Sequence, residues 1–546
     1  MGEADRSRSW HRRLVPMAVL AAVAVLSVAA AGQAPAAPQP AGQEPPSATA
    51  QTSSLDEVVA RLDAELETVR VAQQIVGMSV VIIHDQDVLL AKGYGYADLA
   101  TETPAGKETV YRVGSITKVF TATALMQLRD AGKVNLDDPI ENYVPEFKIK
   151  SRFPDARPVT FRQVASHYSG LPTEAPLPYS YQDVSSFPRT EELIASLEHS
   201  ELQAPVNTRS IYSNLGYNIL GLAVERIASQ PYTDYVTEHI LQPLGMKHSG
   251  FIVTEELGKL LATGYRAADE SGAHAVAPYA DHGQASGMLY SSVEDMAELL
   301  KLQFRQGPAG GKQVLGSSAL REMTAPLFVA NDDAGDPERF WRYGNGLSWH
   351  MQTEKGLQFN QKRGGTNGFS TVMVFNSRHK LGAAVFTNIE CNPLDIALAP
   401  LLELAPVFER LEAQSHDEAV KAAAPALRKY AGTYRLKSGA ENGVEQRPPC
   451  DEVALVLAKW ESSAPLHTAL GGSTSGINLN MRITEPGSPT FRIYQGDDVF
   501  LERWRDHTFR IMSDTFEHDF LHFVEGADGE IVGFRWRTYD FEKAPG

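Results

Sequence analysis

Cysteine is nearly absent: Cys391 and Cys450 are the only two in 546 residues. That count excludes a disulfide-stapled scaffold, and it leaves no Cys-x-x-Cys for metal or redox chemistry. Nothing local brings the two thiols together, so a bond between them and two free thiols both stay open. Basic clusters are missing as well. The net charge is −17 and no run of Lys or Arg follows Arg13. Attraction to a phosphate backbone needs such clusters, so nucleic acid is set aside as a partner. No His-Glu-x-x-His or other compact metal-ligand spacing occurs, nor any Walker-type or dinucleotide-binding glycine loop. No metal and no cofactor is therefore expected. Gly-x-Ser-x-Gly is absent too, which removes the nucleophile elbow of the α/β-hydrolases.

What is present suits a large folded protein. Hydrophobic residues make up 43% and charged residues 21%, ordinary values for a soluble chain long enough for more than one domain. Arg6, Arg8, Arg12 and Arg13 open the sequence, and an Ala-rich apolar run fills residues 14–31. Ala29 and Ala31 offer a small-x-small cleavage site, so residues 1–31 read as a signal peptide and the protein as exported, periplasmic or secreted. The run is also nearly long enough to span a bilayer, which keeps an uncleaved, outward-facing anchor as the alternative. Residues 32–54, rich in Pro, Ala, Gln and Ser, read as a disordered linker.

The folded part is expected to begin at Leu55 with a helix over LDEVVARLDAELETVR. Strand-like runs flanking residues 84–87 predict a hairpin, and so do those around residues 376–380. Between them, helical stretches alternate with Pro- and Gly-rich loops. A last helical stretch covers roughly residues 395–422, with residues 413–422 read as its end and a linker. From residue 423 to 546 the texture changes to short runs such as EVALVLA, INLNMRIT, TFRIY, DVFLER and HDFLHFV, which predicts a separate small β-barrel.

Chemistry gathers at three places. Ser115 and Lys118 form Ser-x-x-Lys at the start of a predicted helix, where positions three apart share a face. A serine hydroxyl is a poor nucleophile until a neighbouring base takes its proton, and a lysine amine on the same face can help. Tyr212-Ser213-Asn214 precedes another predicted helix, and Lys362-Arg363-Gly364 a predicted strand. Together with GSITKVFTATALMQL, ASHYSGLP, YSNLGYNILG, QPLGMKHSGF, ASGMLYSS and GGTNGFST, in this order, they resemble the penicillin-recognising serine hydrolases. These include class C β-lactamases, D-alanyl-D-alanine carboxypeptidases and related esterases.

The resemblance covers roughly residues 55–412. It implies an α/β (α+β) fold, with an antiparallel sheet flanked by helices, an all-helical lobe, and the active site between them. It also implies roles. Ser115 attacks the substrate carbonyl and Lys118 eases removal of its proton. Tyr212 accepts that proton or passes it to the leaving group. Asn214 binds a substrate amide or orients Lys118, and the N–H groups of Ser115 and Gly365 form the oxyanion hole. The expected partner is a small-molecule or peptide substrate, an ester, a D-amino-acid peptide derived from cell wall, or a β-lactam. The opening YAGTYRL of the last region resembles the lipocalin-like domains appended to such hydrolases. Tyr212 stands where class A β-lactamases carry a serine, so the likeness is to class C enzymes, carboxypeptidases and esterases. The third motif, Lys362, Arg363, Gly364 and Gly365, is expected to bind substrate, but it departs from the family. Arg363 stands where a Thr or Ser is usual, and beside the positive charge of Lys362 it either adds a bidentate carboxylate contact or points away or crowds the site. Efficient β-lactam hydrolysis is the activity this departure counts against. A non-catalytic binding protein on the same fold is the rival reading. His167, in SHYSGLP, reads as part of a structural turn, and His84 and His350 as ordinary histidines.

Overall fold

The computed structural model describes residues 54–427, apart from 155–156, 178–189, 270–271, 277–282, 306, 308–310 and 332–341, and beyond them the strands between 432 and 543 with the turn residues 526 and 530. The signal-peptide reading, nearly all of the linker, Cys450 and the run TFRIY fall outside the described residues. Ser54, placed at the end of the linker from sequence, instead caps the first helix. Its hydroxyl accepts from Glu57 N–H while the Glu57 carboxylate accepts from Ser54 N–H, a reciprocal capping box.

That helix, α1 (Leu55–Ala72), buries Val58, Leu62 and Leu66, which stand one above another at four-residue spacing. β1 (Gly77–His84) and β2 (Asp87–Asp98) form the hairpin expected from the sequence. The main sheet is completed by β3 (Thr103–Pro104), β4 (Phe328–Asn331), β5 (Arg342–Asn345), β6 (His350–Glu354), β7 (Leu357–Thr366), β8 (Phe369–Asn376) and β9 (Leu381–Thr387). Its strand order is β3-β2-β1-β9-β8-β7-β6-β5-β4, all antiparallel. β1 lies beside β9, with Met78 opposite Thr387, so the two ends of this region close on each other.

The sheet is covered on both faces, which explains why β1 reads as an unbroken apolar run and not as an alternation. Met78, Val80 and Ile82 face a core shared with α1 and with the long helix at residues 393–427. Val81 and Ile83 face the larger core, made with the helices inserted between β3 and β4. Two of those helices matter most for the site: α2 (Thr117–Asp130) and α3 (Asn214–Ala228), both buried along most of their length.

Helix α4 (Pro393–Leu427) runs through the boundary placed at residue 422. Beyond it, β10 (Gly432–Gly439), β11 (Glu452–Leu457), β12 (Leu479–Ile483), β13 (Val499–Arg505), β14 (Thr508–Met512), β15 (Phe520–Glu525), β16 (Ile531–Trp536) and β17 (Tyr539–Lys543) each pair with the next. β17 pairs back to β10, so the strand order closes on itself. Among the described residues no helix is long and apolar enough to cross a membrane.

Candidate active site

Ser115 sits in a single 3₁₀ turn, Gly114–Ile116, that leads into α2. Gly114 has φ +52°, a left-handed conformation suited to glycine, and it has no room for a side chain. A Cβ there would stand 2.8 Å from Gly365 N. The backbone of β7 thus packs directly against the residue before Ser115. Gly364 makes the same approach possible one position earlier: its Cβ would lie 1.9 Å from Val113 O, beside the Thr371 hydroxyl that donates to that same carbonyl at 2.9 Å. Gly114 and Gly364 are therefore required by close packing of strand and turn, whereas a Cβ at Gly365 would meet open space. β6 pairs with β7 only as far as Gln361, so among the described residues no further strand covers the outer edge of residues 362–366. That edge runs past Ser115.

One turn past Ser115, at the start of α2, Lys118 is fully buried. Its Nζ stands 3.0 Å from Ser115 Oγ, 2.7 Å from Asn214 Oδ1 and 2.6 Å from Ser286 O. Tyr212 Oη donates to Ser115 Oγ at 2.5 Å. Tyr212 and Asn214 flank Ser213, whose hydroxyl is committed elsewhere. It accepts from Gly216 N–H as the N-cap of α3 and donates to Pro172 O, tying the helix start to the SGLP turn. The three residues thus divide into Tyr212, which faces Ser115, Asn214, which faces Lys118, and Ser213, which anchors them.

Lys362 lies on the face of β7 that looks toward the helices. It pairs with Met373 of the larger core, and its Nζ sits 5.6 Å from the centre of the Tyr212 ring, with Lys118 Nζ at 4.9 Å from the same ring. Burial pulls the Lys362 ammonium down to about 7. The standing positive charge expected from the sequence is thus a group roughly half protonated near neutrality. Arg363 occupies the next position. Strand alternation puts it on the opposite face, opposite Val372 of the other core, and its Nε donates to Gln361 Oε1 at 3.0 Å. Lys362, Gly364 and Gly365 are brought to Ser115 by the fold; the Arg363 side chain would have to come round the strand edge to join them.

His167 is buried behind Tyr212, ring centres 4.5 Å apart, with φ +64°. Its Nδ1 accepts from Ser213 N–H, and burial, with Lys362 nearby, holds it well below the usual histidine range. A neutral imidazole that supports the α3 start fits the turn reading. His350 stacks parallel to it at 6.1 Å and is pushed down to about 3, by burial first and then by Lys362 and Arg363. Its place beside the site was not visible in the sequence, because only the pairing of β5, β6 and β7 brings it there. Glu174 was missed too. Its Oε1 accepts from Asn214 Nδ2 at 2.6 Å across forty residues of chain, and no spacing rule signals such a pair. Among the described residues no group of three or more His, Cys, Asp or Glu side chains is placed to hold a metal ion.

A family model described as Beta-lactamase matches residues 55–405. The chain belongs to the beta-lactamase family. A curated relative, "Beta-lactamase-like protein 2" of Dictyostelium discoideum, is 30% identical over 60% of this chain and 59% of its own. "Protein flp" of Staphylococcus aureus is 26% identical over 57% and 59%. The chain thus spans about three-fifths of the length of these relatives. Among solved structures, the octameric penicillin-binding protein homologue from Pyrococcus abyssi matches with TM-score 0.55 and 24% identity, covering 89% of this chain and 100% of that one. The Beta-lactamase/D-alanine Carboxypeptidase from Yersinia pestis matches with TM-score 0.54 and 25% identity, covering 65% and 98%. Beta-lactamase family membership agrees with the antiparallel sheet flanked by helices and with the order of the three motifs along the chain.

Proposed function

We propose that this protein is a serine hydrolase that cleaves an ester or amide through an acyl-Ser115 intermediate. The observation that carries the reading is the contact of one hydroxyl with two proton-handling groups: Ser115 Oγ stands 3.0 Å from Lys118 Nζ and 2.5 Å from Tyr212 Oη. In the acylation step the Ser115 O–H bond breaks and its proton passes to the lone pair of Lys118. The oxygen's electron pair forms a bond to the substrate carbonyl carbon, and the carbonyl π pair moves onto oxygen. The backbone N–H groups of Ser115 and Gly365 receive that oxyanion. Tyr212 hands its proton to the leaving group as the bond to carbon breaks, and the proton held on Lys118 restores it. Water then repeats the sequence on the acyl-enzyme, with Ser115 as leaving group.

Small esters and D-amino-acid peptides of cell-wall origin are the substrates this reading favours. The likeness to the Beta-lactamase/D-alanine Carboxypeptidase of Yersinia pestis supports the peptide. β-Lactams rank behind them, because Arg363 replaces the hydroxyl residue that helps hold their carboxylate. Export is part of the proposal and rests on residues 1–31. The test is intact mass and turnover after incubation with a small activated ester, for wild type and Ser115→Ala. An acyl adduct and turnover that both vanish in the variant are expected. Equal turnover in the variant would refute the reading and favour a binding protein on the same fold.

A further inference from the structure

One acidic side chain stands behind the proton acceptor. Glu174 lies two residues past Pro172, partly buried, and its Oε1 accepts from Asn214 Nδ2 at 2.6 Å. A carboxylate oxygen only accepts, so it decides which end of the Asn214 amide turns toward it. The NH₂ end faces Glu174 and the carbonyl end is left facing Lys118, 2.7 Å from its Nζ. Ser286 O, at 2.6 Å, is the second carbonyl on Lys118. A neutral amine has two N–H bonds and one lone pair. With its N–H bonds on these two carbonyl oxygens, the neutral amine can turn its lone pair toward Ser115 Oγ, 3.0 Å away. An Asn214 amide turned the other way would present N–H groups to Lys118 and draw the lone pair off Ser115.

We propose that Glu174 is a positioning residue: by fixing the Asn214 amide it aims the Lys118 lone pair at the Ser115 hydroxyl. This rests on the acyl-serine reading and adds a fourth member to its proton-handling group. The carboxylate has a second effect. Among the described residues, the titratable groups facing Lys118 from the packed elements are Tyr212, Tyr217, Lys362, His167 and His350. Of these only Lys362, when protonated, carries a positive charge in the folded protein, and it disfavours a second cation on Lys118. The negative charge of Glu174 opposes it, so the carboxylate raises the pH at which Lys118 gives up its proton.

The experiment compares Glu174→Ala, Glu174→Gln and Ser115→Ala in the full chain with the wild type. The readouts are kcat and KM on a small activated ester across the pH range, with thermal unfolding alongside. Glu174→Ala is expected to lower kcat/KM at least about tenfold, chiefly through kcat, because the amide is no longer held. Glu174→Gln keeps one acceptor oxygen and recovers most of that loss above the acid limb of the profile. Both variants move the acid limb to lower pH by about half a unit or more, because the charge that favours the Lys118 ammonium is gone. Should Glu174→Ala not fold, the limb shift in Glu174→Gln carries the test. An unmoved limb in the folded variants overturns the proposal, and so does an equal loss at every pH in both, which is the mark of a merely structural role. Turnover that survives in Ser115→Ala would refute the acyl-serine reading itself, so the two failures read apart.

Discussion

Replacing Lys362 with Met removes a buried amine and keeps an unbranched side chain of similar length. An ordinary lysine titrates near 10.5, whereas burial brings Lys362 to about 7. Between those two values the unfolded chain binds the proton and the folded chain does not. Unfolding therefore takes up a proton, and stability rises with pH across the window. The folded state is at full strength above the unfolded value and weakens as pH falls toward 7. Linkage puts the cost of the buried amine at about 2 kcal/mol near pH 9 and about 4 kcal/mol near pH 7, as upper bounds. Urea unfolding of wild type and Lys362→Met at the two pH values measures this directly, and the difference between the proteins cancels every other titrating group. The variant is expected to be the more stable protein at neutral pH, with an advantage that shrinks by about 2 kcal/mol at the higher pH. Parallel pH dependences would show that Lys362 keeps an ordinary proton affinity. The site would then present a fixed cation to its substrate, contrary to the burial argument.

Two further substitutions test the packing and the chemistry separately. Gly364→Ala drives a methyl to 1.9 Å from Val113 O, so β7 must move off the turn that carries Ser115; thermal unfolding should show a loss of about 3 kcal/mol, and turnover should fall with it. Tyr212→Phe keeps the ring between the two lysines and removes the hydroxyl 2.5 Å from Ser115 Oγ. Ester turnover should drop by about a hundredfold or more while the unfolding temperature stays near the wild-type value.

The strand ring after α4 is more than an appendix peculiar to this chain. The family model ends at residue 405, yet the match to the Pyrococcus abyssi structure spans 89% of the chain. Residues 1–427 together are less than four-fifths of it, so that match reaches into β10–β17. At 24% identity the likeness is one of fold, and it says that a beta-lactamase fold followed by such strands recurs.

What could be read from the sequence was what local chemistry encodes. The hairpins at residues 84–87 and 376–380, the spacing of Val58, Leu62 and Leu66, and the three-residue step from Ser115 to Lys118 each follow from periodicity or a turn signal inside one segment. The face of Arg363 was not legible, because a Lys-Arg-Gly string carries no sign of which residue the sheet turns inward; only register against Met373 and Val372 decides it. The proton affinity of Lys362 was hidden for the same reason. Its charge is set by burial, and burial is a property of α2, α3 and β7 packed together, which no string of residues displays. Glu174 is the sharpest case. Its chemistry is plain, an acceptor that cannot donate, but it acts only because Pro172 O ties the SGLP turn to Ser213 and so holds the carboxylate at Asn214. The residues that bond to Ser115 were announced by motif, whereas those that determine how its neighbours are oriented and protonated were supplied by tertiary structure.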